Sequence, residues 1–479
     1  MVREGGERMR RREFLKLTGA GAVLAPAAAG CIGGDRGKRM PRPNVVYMVT
    51  DDQRWDLLSL MGHPYLKTPN MDRVGSEGAV FSNAFVTTSL CSPSRASFLT
   101  GRYAHQHRVR VNAPCEHFEE SEVLWPQILH KAGYKTAYFG KWHIGKDASP
   151  RPGFDRWAVL PGQGRYVDPE MNVDGDLRTV PGHVDGIVSG MASEWLREVA
   201  AGGAPFCLCV GFKSPHAPQT PPEELKDVLA DAEIPFPESY DEDFGVSKKA
   251  DVVVNSLLRS DEFFDGPKQR KGAWEPFIKD FYRTIMSADR GVGRILEALD
   301  DLGVADDTLV IFAGDNGFFL GEHNLIDKRF PYEEALRIPL LMRYPRRVKP
   351  GRTVPEMALN IDVCPTVLDA CGVPVPGNVA GCSLMPLLEG KRVRNWREDF
   401  FYEYAEREFG NMPALVAVRG SRYKYIQYLD PASMNELYDL QADPHEMLNV
   451  IDDPGYAAVL KEMQERLRAL EKELAWTAP

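Results

Sequence analysis

The chain has 479 residues, with 58 Lys or Arg against 68 Asp or Glu and a net charge of −10. That length carries a large α/β core plus a smaller second unit, and an acidic chain with no basic stripe of interleaved aromatics argues against a nucleic-acid surface. Its eight cysteines contain no C-x-x-C pair, so they read as small core residues (Cys207 and Cys209 in a strand, Cys364 and Cys371 in a helix) rather than a disulfide framework or thiolate metal site.

At the N-terminus, Arg10-Arg11-Arg12-Glu13-Phe14-Leu15-Lys16 precedes an Ala- and Gly-rich apolar stretch. This resembles a twin-arginine export signal over residues 1–31. Ala28-Ala29-Gly30-Cys31 resembles a bacterial lipobox, with Ala where Leu is usual three residues before the cysteine. Two outcomes follow: lipid attachment at Cys31, or cleavage near the Ala run and release. Both imply the twin-arginine translocase as partner and a periplasmic or cell-surface location. The apolar stretch is too short to span a bilayer permanently, so the membrane enters only through a lipid at Cys31. Residues 32–42 read as a polar tether.

From residue 43, apolar runs alternate with helical segments, predicting a mostly parallel sheet sandwiched by helices. Asn44-Val45-Val46-Tyr47-Met48-Val49-Thr50 reads as a buried parallel strand whose tip carries Asp51 and Asp52. Start and stop signals predict helices over 69–78 and 121–133. Between them lies Cys91-Ser92-Pro93-Ser94-Arg95. Its four fixed letters, C-x-P-S-R, should occur by chance in roughly one chain in a thousand of this length. The run Thr136-Ala137-Tyr138-Phe139-Gly140 ends in Lys141 and His143, which share a face if the strand continues. Phe206-Cys207-Leu208-Cys209-Val210 leads to Lys213 and to His216 in a Pro-rich loop.

Residues 215–274, rich in Pro, Asp, Glu and Ser, read as long loops over the site, where selectivity is set. A long amphipathic helix is predicted over 277–303. Next comes the strand Thr308-Leu309-Val310-Ile311-Phe312-Ala313-Gly314, tipped by Asp315 and Asn316. Ligand sites in open α/β sheets lie beyond the carboxyl ends of strands, so Asp51, Asp52, Asp315 and Asn316 can meet at one point. Three carboxylates and an amide oxygen suit Ca²⁺ or Mg²⁺ rather than zinc. Gly321-Glu322-His323-Asn324-Leu325-Ile326-Asp327-Lys328-Arg329 adds further cations. A helix over 361–372 follows, and the character changes after Gly390. Residues 422–428 and 435–440 read as a hairpin and 456–474 as an amphipathic helix. The expected organisation is a main domain over 43–390 and a small α+β subdomain over 391–479.

The C-x-P-S-R run, G-K-W-H at 140–143, P-H-x-P at 215–218 and G-E-H-x-L-x-D-K at 321–328 resemble, in this order, the motifs of type I sulfatases. Glu436-Leu437-Tyr438-Asp439-Leu440 with Asp443-Pro444-His445-Glu446 is similar to the family's C-terminal part, so the likeness runs from about 43 to 450. The resemblance implies an alkaline-phosphatase-like α/β fold and oxidation of Cys91 to Cα-formylglycine (3-oxoalanine) by a formylglycine-generating enzyme. A twin-arginine route suits this, because it moves folded protein whose cysteine is already oxidised. The resemblance also implies a divalent cation, usually Ca²⁺ with Mg²⁺ as the alternative, bound by Asp51, Asp52, Asp315 and Asn316 and touching residue 91. It assigns Arg95 to holding the formylglycine side chain, Lys141 to binding both that side chain and sulfate, and His143 to removing the remaining gem-diol proton. His216 and Lys328 would bind sulfate and protonate the leaving oxygen. Lys213 and His323, beside these positions, are substrate-contact candidates.

Gly162-Gln163-Gly164, Asn172-Val173-Asp174-Gly175 and Gly321-Glu322-His323 look most like glycan sulfatases. The expectation is therefore an exported sulfatase acting on sulfated saccharides, N-acetylglucosamine-6-sulfate first. Two rivals stand beside it. One is a phosphonate or phosphate ester hydrolase of the same superfamily. The other is a sulfated-glycan binding protein whose Cys91 is never oxidised, although a binder has no need of His143 beside Lys141.

Overall fold

Alternation within the first strand sets the architecture. In β1 (Asn44–Thr50), Val45, Tyr47 and Val49 join one apolar cluster while Val46 and Met48 join another. A strand apolar on both faces belongs in the middle of a sheet covered on both sides. The computed structural model describes residues 42–112, 118, 122–264, 267–404, 412–430 and 434–478. The export signal, Cys31, almost all of the tether and Cys115 lie outside the described residues.

The main sheet draws on β2 (Ala79–Phe81), β4 (Lys135–Lys141), β5 (Arg156–Leu160), β6 (Glu170–Val173), β7 (Asp176–Thr179), β8 (Phe206–Gly211), β9 (Thr308–Gly314), β12 (Leu340–Arg343) and β13 (Arg352–Val354) besides β1. Its ten strands run in the order β13-β2-β12-β9-β1-β8-β4-β5-β6-β7. The five central strands β9, β1, β8, β4 and β5 are mutually parallel. β12 at one flank and β6 and β7 at the other pair antiparallel, while the outermost β13 runs parallel to β2, so the sheet is mixed around a parallel centre.

One face is covered by the helices Cys91–Thr100, Trp125–Lys131 and Val363–Ala370, through residues such as Phe98, Leu129 and Val367. The other face takes the helices Pro69–Ser76, Val184–Ala200 and Pro267–Asp301, through Val74, Leu196 and Ile285. The short pairs β3 (Ala84–Phe85) with β14 (Ala358–Leu359), and β10 (Phe319–Leu320) with β11 (Ile326–Asp327), sit beside it. A separate antiparallel sheet of β15 (Asp399–Tyr404), β16 (Leu415–Gly420), β17 (Tyr423–Tyr428) and β18 (Glu436–Asp439) packs with the helix Ala457–Glu473 over its own apolar cluster.

Several expectations need correction. The long helix runs straight through Pro276 instead of starting after it. The helix expected from 121 begins at Trp125, where Pro126 in its first turn and Gln127 accepting from the Leu124 N–H (3.1 Å) fix the start. Residues 215–274 are not all loop: the short helices Phe244–Ser247, Asp251–Val254 and Ser260–Phe263 lie within them, and the long helix starts at Pro267.

Candidate active site

Because β9, β1, β8, β4 and β5 are parallel neighbours, their carboxyl tips lie along one edge of the sheet. Thr50 pairs with Gly314 and Val49 with Gly211, which sets Asp51 beside Asp315 and beside the 213–216 loop. β4 and β8 approach each other too closely for side chains. A Cβ on Gly140 (φ 95°) would fall 2.1 Å from the Gly211 carbonyl oxygen, and one on Gly211 would fall 2.1 Å from that of Lys141. β4 ends at Lys141, and His143 takes a positive φ of 49°. The strand does not continue, so the shared face expected for Lys141 and His143 is replaced by a turn.

The helix Cys91–Thr100 delivers the cysteine at its N-terminus, the positive end of the helix dipole. Asn112 Oδ1 accepts from the Ser92 N–H (2.9 Å), Ser92 Oγ donates to the His143 carbonyl (2.5 Å), and Gly101 closes the helix with a left-handed φ of 70°. Cys91 is fully buried, with Sγ 3.2 Å from Asp51 Oδ1 and 3.1 Å from Lys328 Nζ. Burial and Asp51 push the thiol well above its usual pKa, so the unmodified side chain stays protonated and is a poor nucleophile.

Around it, Arg95 donates to Asp315 (2.8 Å) and to the Lys141 carbonyl (2.7 Å). The Lys141 ammonium bridges Asp51 and Gln163, and that of Lys328 binds Asp52. One ligand atom from each of Asp51, Asp52, Cys91 and Asp315 lies within 4.8 Å of all the others. Burial, reinforced by Asp51, pushes Asp315 up to about 7 against the pull of Arg95. Burial also raises Asp52, in spite of Lys328. Asp51 is held well below the usual range: burial opposes ionisation there, but Lys141, His216, Arg95 and Lys328 outweigh it. Asp52 and Asp315 hold their protons although Lys328 and Arg95 lie beside them, so these cations do not fully offset the burial of the converging carboxylates. Asn316 gives its amide N–H to Asp52 (2.7 Å), leaving Oδ1 buried with no donor. Three carboxylates and that free oxygen fit a hard divalent cation.

His143 and His216 are both depressed, first by burial and then by Lys141. His216 Nδ1 lies 2.7 Å from the Ala217 carbonyl, which can only accept, so Nδ1 carries a proton and Nε2 is the free position, 3.9 Å from Asp52. Its side chain is 18% exposed while those of Lys141, Asp51 and Lys328 are buried, so the cluster opens to solvent at His216. Lys213 is buried beside the Tyr166 ring and pushed down to about 8 by burial and Lys141. His323 is turned away: its ring is enclosed between Glu242 and Glu334, its own acid partners.

Sequence reasoning passed over Gln163 as Lys141's partner. Its signal is the one used elsewhere, an apolar strand (β5) running into a polar tip. Asn112 had no local signal, because the Ser92 N–H it accepts from lies twenty residues earlier in the chain.

The family model described as Sulfatase matches residues 43–373, and one described as N-sulphoglucosamine sulphohydrolase, C-terminal, matches 321–473. The chain belongs to the sulfatase family. It is 32% identical to an N-acetylglucosamine-6-O-sulfatase of Bacteroides thetaiotaomicron, over 90% of this chain and 87% of that protein. A solved structure of a protein in complex with its substrate D-glucosamine-2-N,6-O-disulfate superposes with a TM-score of 0.81 at 31% identity, covering 91% of this chain and 98% of the other. The phosphonate monoester hydrolase of Agrobacterium radiobacter superposes with a TM-score of 0.75 at 25% identity, covering 90% and 96%. This sulfatase therefore has the alkaline-phosphatase-like fold and is a sulfuric ester hydrolase.

Proposed function

We propose that this sulfatase is exported and hydrolyses sulfate monoesters on sulfated glycans, with N-acetylglucosamine-6-sulfate or a similar sugar as first substrate. The named activity of the Bacteroides relative, and the sulfated glucosamine that is the substrate in the solved structure, support the substrate class. The convergence of Asp51, Asp52, Asp315 and Cys91, ringed by Arg95, Lys141 and Lys328, carries the chemistry. Asp51, Asp52, Asp315 and Asn316 would hold Ca²⁺ or Mg²⁺. Bound there, the cation would supply positive charge to the sulfate, and the hydrated aldehyde of an oxidised Cys91 would supply two hydroxyls on one carbon.

The chain's own residues do the rest. Arg95 anchors the Cys91 helix to Asp315 and to the β4 tip, so residue 91 is held where charge converges. Lys141 and Lys328 present ammonium groups to an anionic ester. His143, kept neutral, takes a proton from residue 91. His216 Nε2, at the open side, is placed to give a proton to the departing sugar oxygen once the anion offsets the depression of its pKa. Lys213 stands behind it as a further cation.

Three converging buried carboxylates with no divalent cation between them are costly even beside Arg95, Lys141 and Lys328. Chelator treatment is expected to lower both activity and melting temperature, with Ca²⁺ or Mg²⁺ restoring them better than Zn²⁺, and Asp315→Ala should reproduce the loss. Fully active protein free of divalent metal would reject the site. The likeness to a phosphonate monoester hydrolase favours one second reading, so rates on sulfate, phosphate and phosphonate esters of one alcohol should be compared. Faster phosphorus chemistry would overturn the sulfatase assignment of substrate. A panel of defined sulfated saccharides then identifies the sugar.

A further inference from the structure

The hairpin that delivers Lys328 has a charged tip of its own. β10 and β11 pair antiparallel, Phe319 opposite Asp327 and Leu320 opposite Ile326, and Lys328 is the first residue after β11. The intervening 321–325 loop is closed by the Gly321 N–H donating to the Leu325 carbonyl (2.9 Å). At the tip His323 and Asn324 take positive φ of 55° and 56°. The His323 ring is fully enclosed. Its Nδ1 lies 2.7 Å from Glu242 Oε2 and its Nε2 3.7 Å from Glu334 Oε2. Lys249 Nζ is 3.8 Å from the other Glu242 oxygen, the Tyr332 ring packs 4.9 Å away, and the His323 N–H donates to Ser239 Oγ (3.1 Å).

A neutral imidazole has one N–H and would turn a lone pair toward one of these carboxylates, whereas an imidazolium presents an N–H toward each. Glu242, Glu334 and Lys249 face the ring, with Arg54 acting on Glu334 from beyond it, and a protonated ring puts a positive charge between the two acids. Glu322, next along the loop, is committed to Arg54 (2.5 Å), two residues beyond Asp52. Asn324 accepts from Ser260, and Trp274 Nε1 donates to the Leu320 carbonyl (2.6 Å). Several segments thus grip one hairpin, and His323 is its central charged contact.

We infer that protonated His323 is a positioning residue, a clasp that ties the Lys328 hairpin to the 239–249 segment and to the Glu333–Leu336 helix so that Lys328 is held in the sulfate site. The inference rests on the reading in which Lys328 meets sulfate. Burial and Lys249 oppose the proton, but the hydrogen bond to Glu242 and the nearby carboxylate of Glu334 outweigh them and hold the imidazole above its ordinary value. A raised histidine pKa contributes stability that is fully present below the unfolded value of about 6.5 and is lost as pH rises through the folded one.

The full-length protein, His323→Gln, Lys328→Ala and the double variant are compared for kcat and KM on N-acetylglucosamine-6-sulfate. Melting temperature of wild type and His323→Gln is followed from about pH 6 to about pH 9. Loss of a charged hydrogen bond at the clasp should lower kcat roughly tenfold, with KM changed less. The melting deficit of His323→Gln should be greatest at the acid end of that range and shrink as pH rises through the ring's folded value, where the wild type loses the same proton. In the Lys328→Ala background, His323→Gln should cost no further kcat. Additive losses in the double variant, or a melting deficit constant with pH, would overturn the clasp. If Lys328→Ala keeps full activity, the role of Lys328 fails, and the positioning inference falls with it even where the pH-dependent deficit persists. Should His323→Gln not fold, Glu242→Gln removes one partner, keeps the ring, and is held to the same outcomes.

Discussion

Cys91 lies between Asp51 and Lys328, fully buried, with a thiol that holds its proton, so its value is chemical rather than steric. Cys91→Ala removes one sulfur atom and no apolar contact of any size. Its stability cost should be about 1 kcal/mol or less, while turnover falls to background. Near-wild-type hydrolysis by the purified variant would end the formylglycine reading, and peptide mass spectrometry of the wild type tests it from the other side. The proposed mechanism divides the remaining work between two histidines. His216 Nε2 faces the open side, so His216→Ala should slow release of the alcohol, by roughly a hundredfold for a sugar sulfate and far less for an activated aryl sulfate that needs no proton. In the proposed mechanism His143, deeper and neutral, serves the later release of sulfate. His143→Ala should therefore show a burst of alcohol in rapid-mixing experiments, followed by slow sulfate release. Equal loss on both esters for His216→Ala, with no burst for His143→Ala, would mean the two roles are misassigned.

The close approach of β4 and β8 at their tips is what lets Lys141, Lys213 and His216 share one site with Asp51. Gly211→Ala places a Cβ 2.1 Å from the Lys141 carbonyl oxygen and 3.0 Å from Arg95 Nη1. Backbone cannot yield as a flexible side chain does, so the variant should lose about 1–3 kcal/mol of stability and, through displacement of Lys141 and Arg95, most of its activity. Unchanged melting and activity would show that the strand tips are looser than they stand here. The grammar of an apolar run ending in charged residues was legible for β1, β4, β8 and β9, because burial on both faces writes itself as an unbroken apolar string. β6, β7 and β12 were not legible as antiparallel flanks, since strand direction is set by partners distant in the chain. The turn at His143 was hidden because a left-handed histidine has no local signature, and Pro276 misled because packing of the rest of the long helix outweighs one missing N–H. Gln163 was readable by the same grammar, whereas the Asn112 cap depends on a contact that only the fold creates.

Across the whole molecule, the sulfate site is joined to the C-terminal sheet by buried charge. Lys424 of β17, fully buried, lies 2.9 Å from Glu333 and 2.8 Å from Glu446, and Arg419 of β16 lies 3.0 Å from Glu333. The Glu446 carboxylate accepts from the Glu333 N–H (2.8 Å), and Tyr402 of β15 donates to the carbonyl of Arg329, next to Lys328 (2.6 Å). Removing Lys424 leaves Glu333 and Glu446 close together with one cation fewer, so Lys424→Met should cost about 3 kcal/mol and loosen the helix that also carries Glu334. Glu446 behaves in the opposite sense. Burial pushes it up to about 7 in spite of Lys424, so its contribution to stability is present below the unfolded carboxylate value and is lost as pH rises through about 7. Glu446→Gln has no such proton to lose while keeping a carbonyl for the Glu333 N–H. Its stability relative to wild type should therefore improve steadily as pH is raised from about 5 to about 8. Chemical denaturation of both proteins across that range measures the difference. A gap that stays constant, or that widens in favour of the wild type at high pH, would show that Lys424 keeps Glu446 ionised and that the seam is an ordinary ion pair.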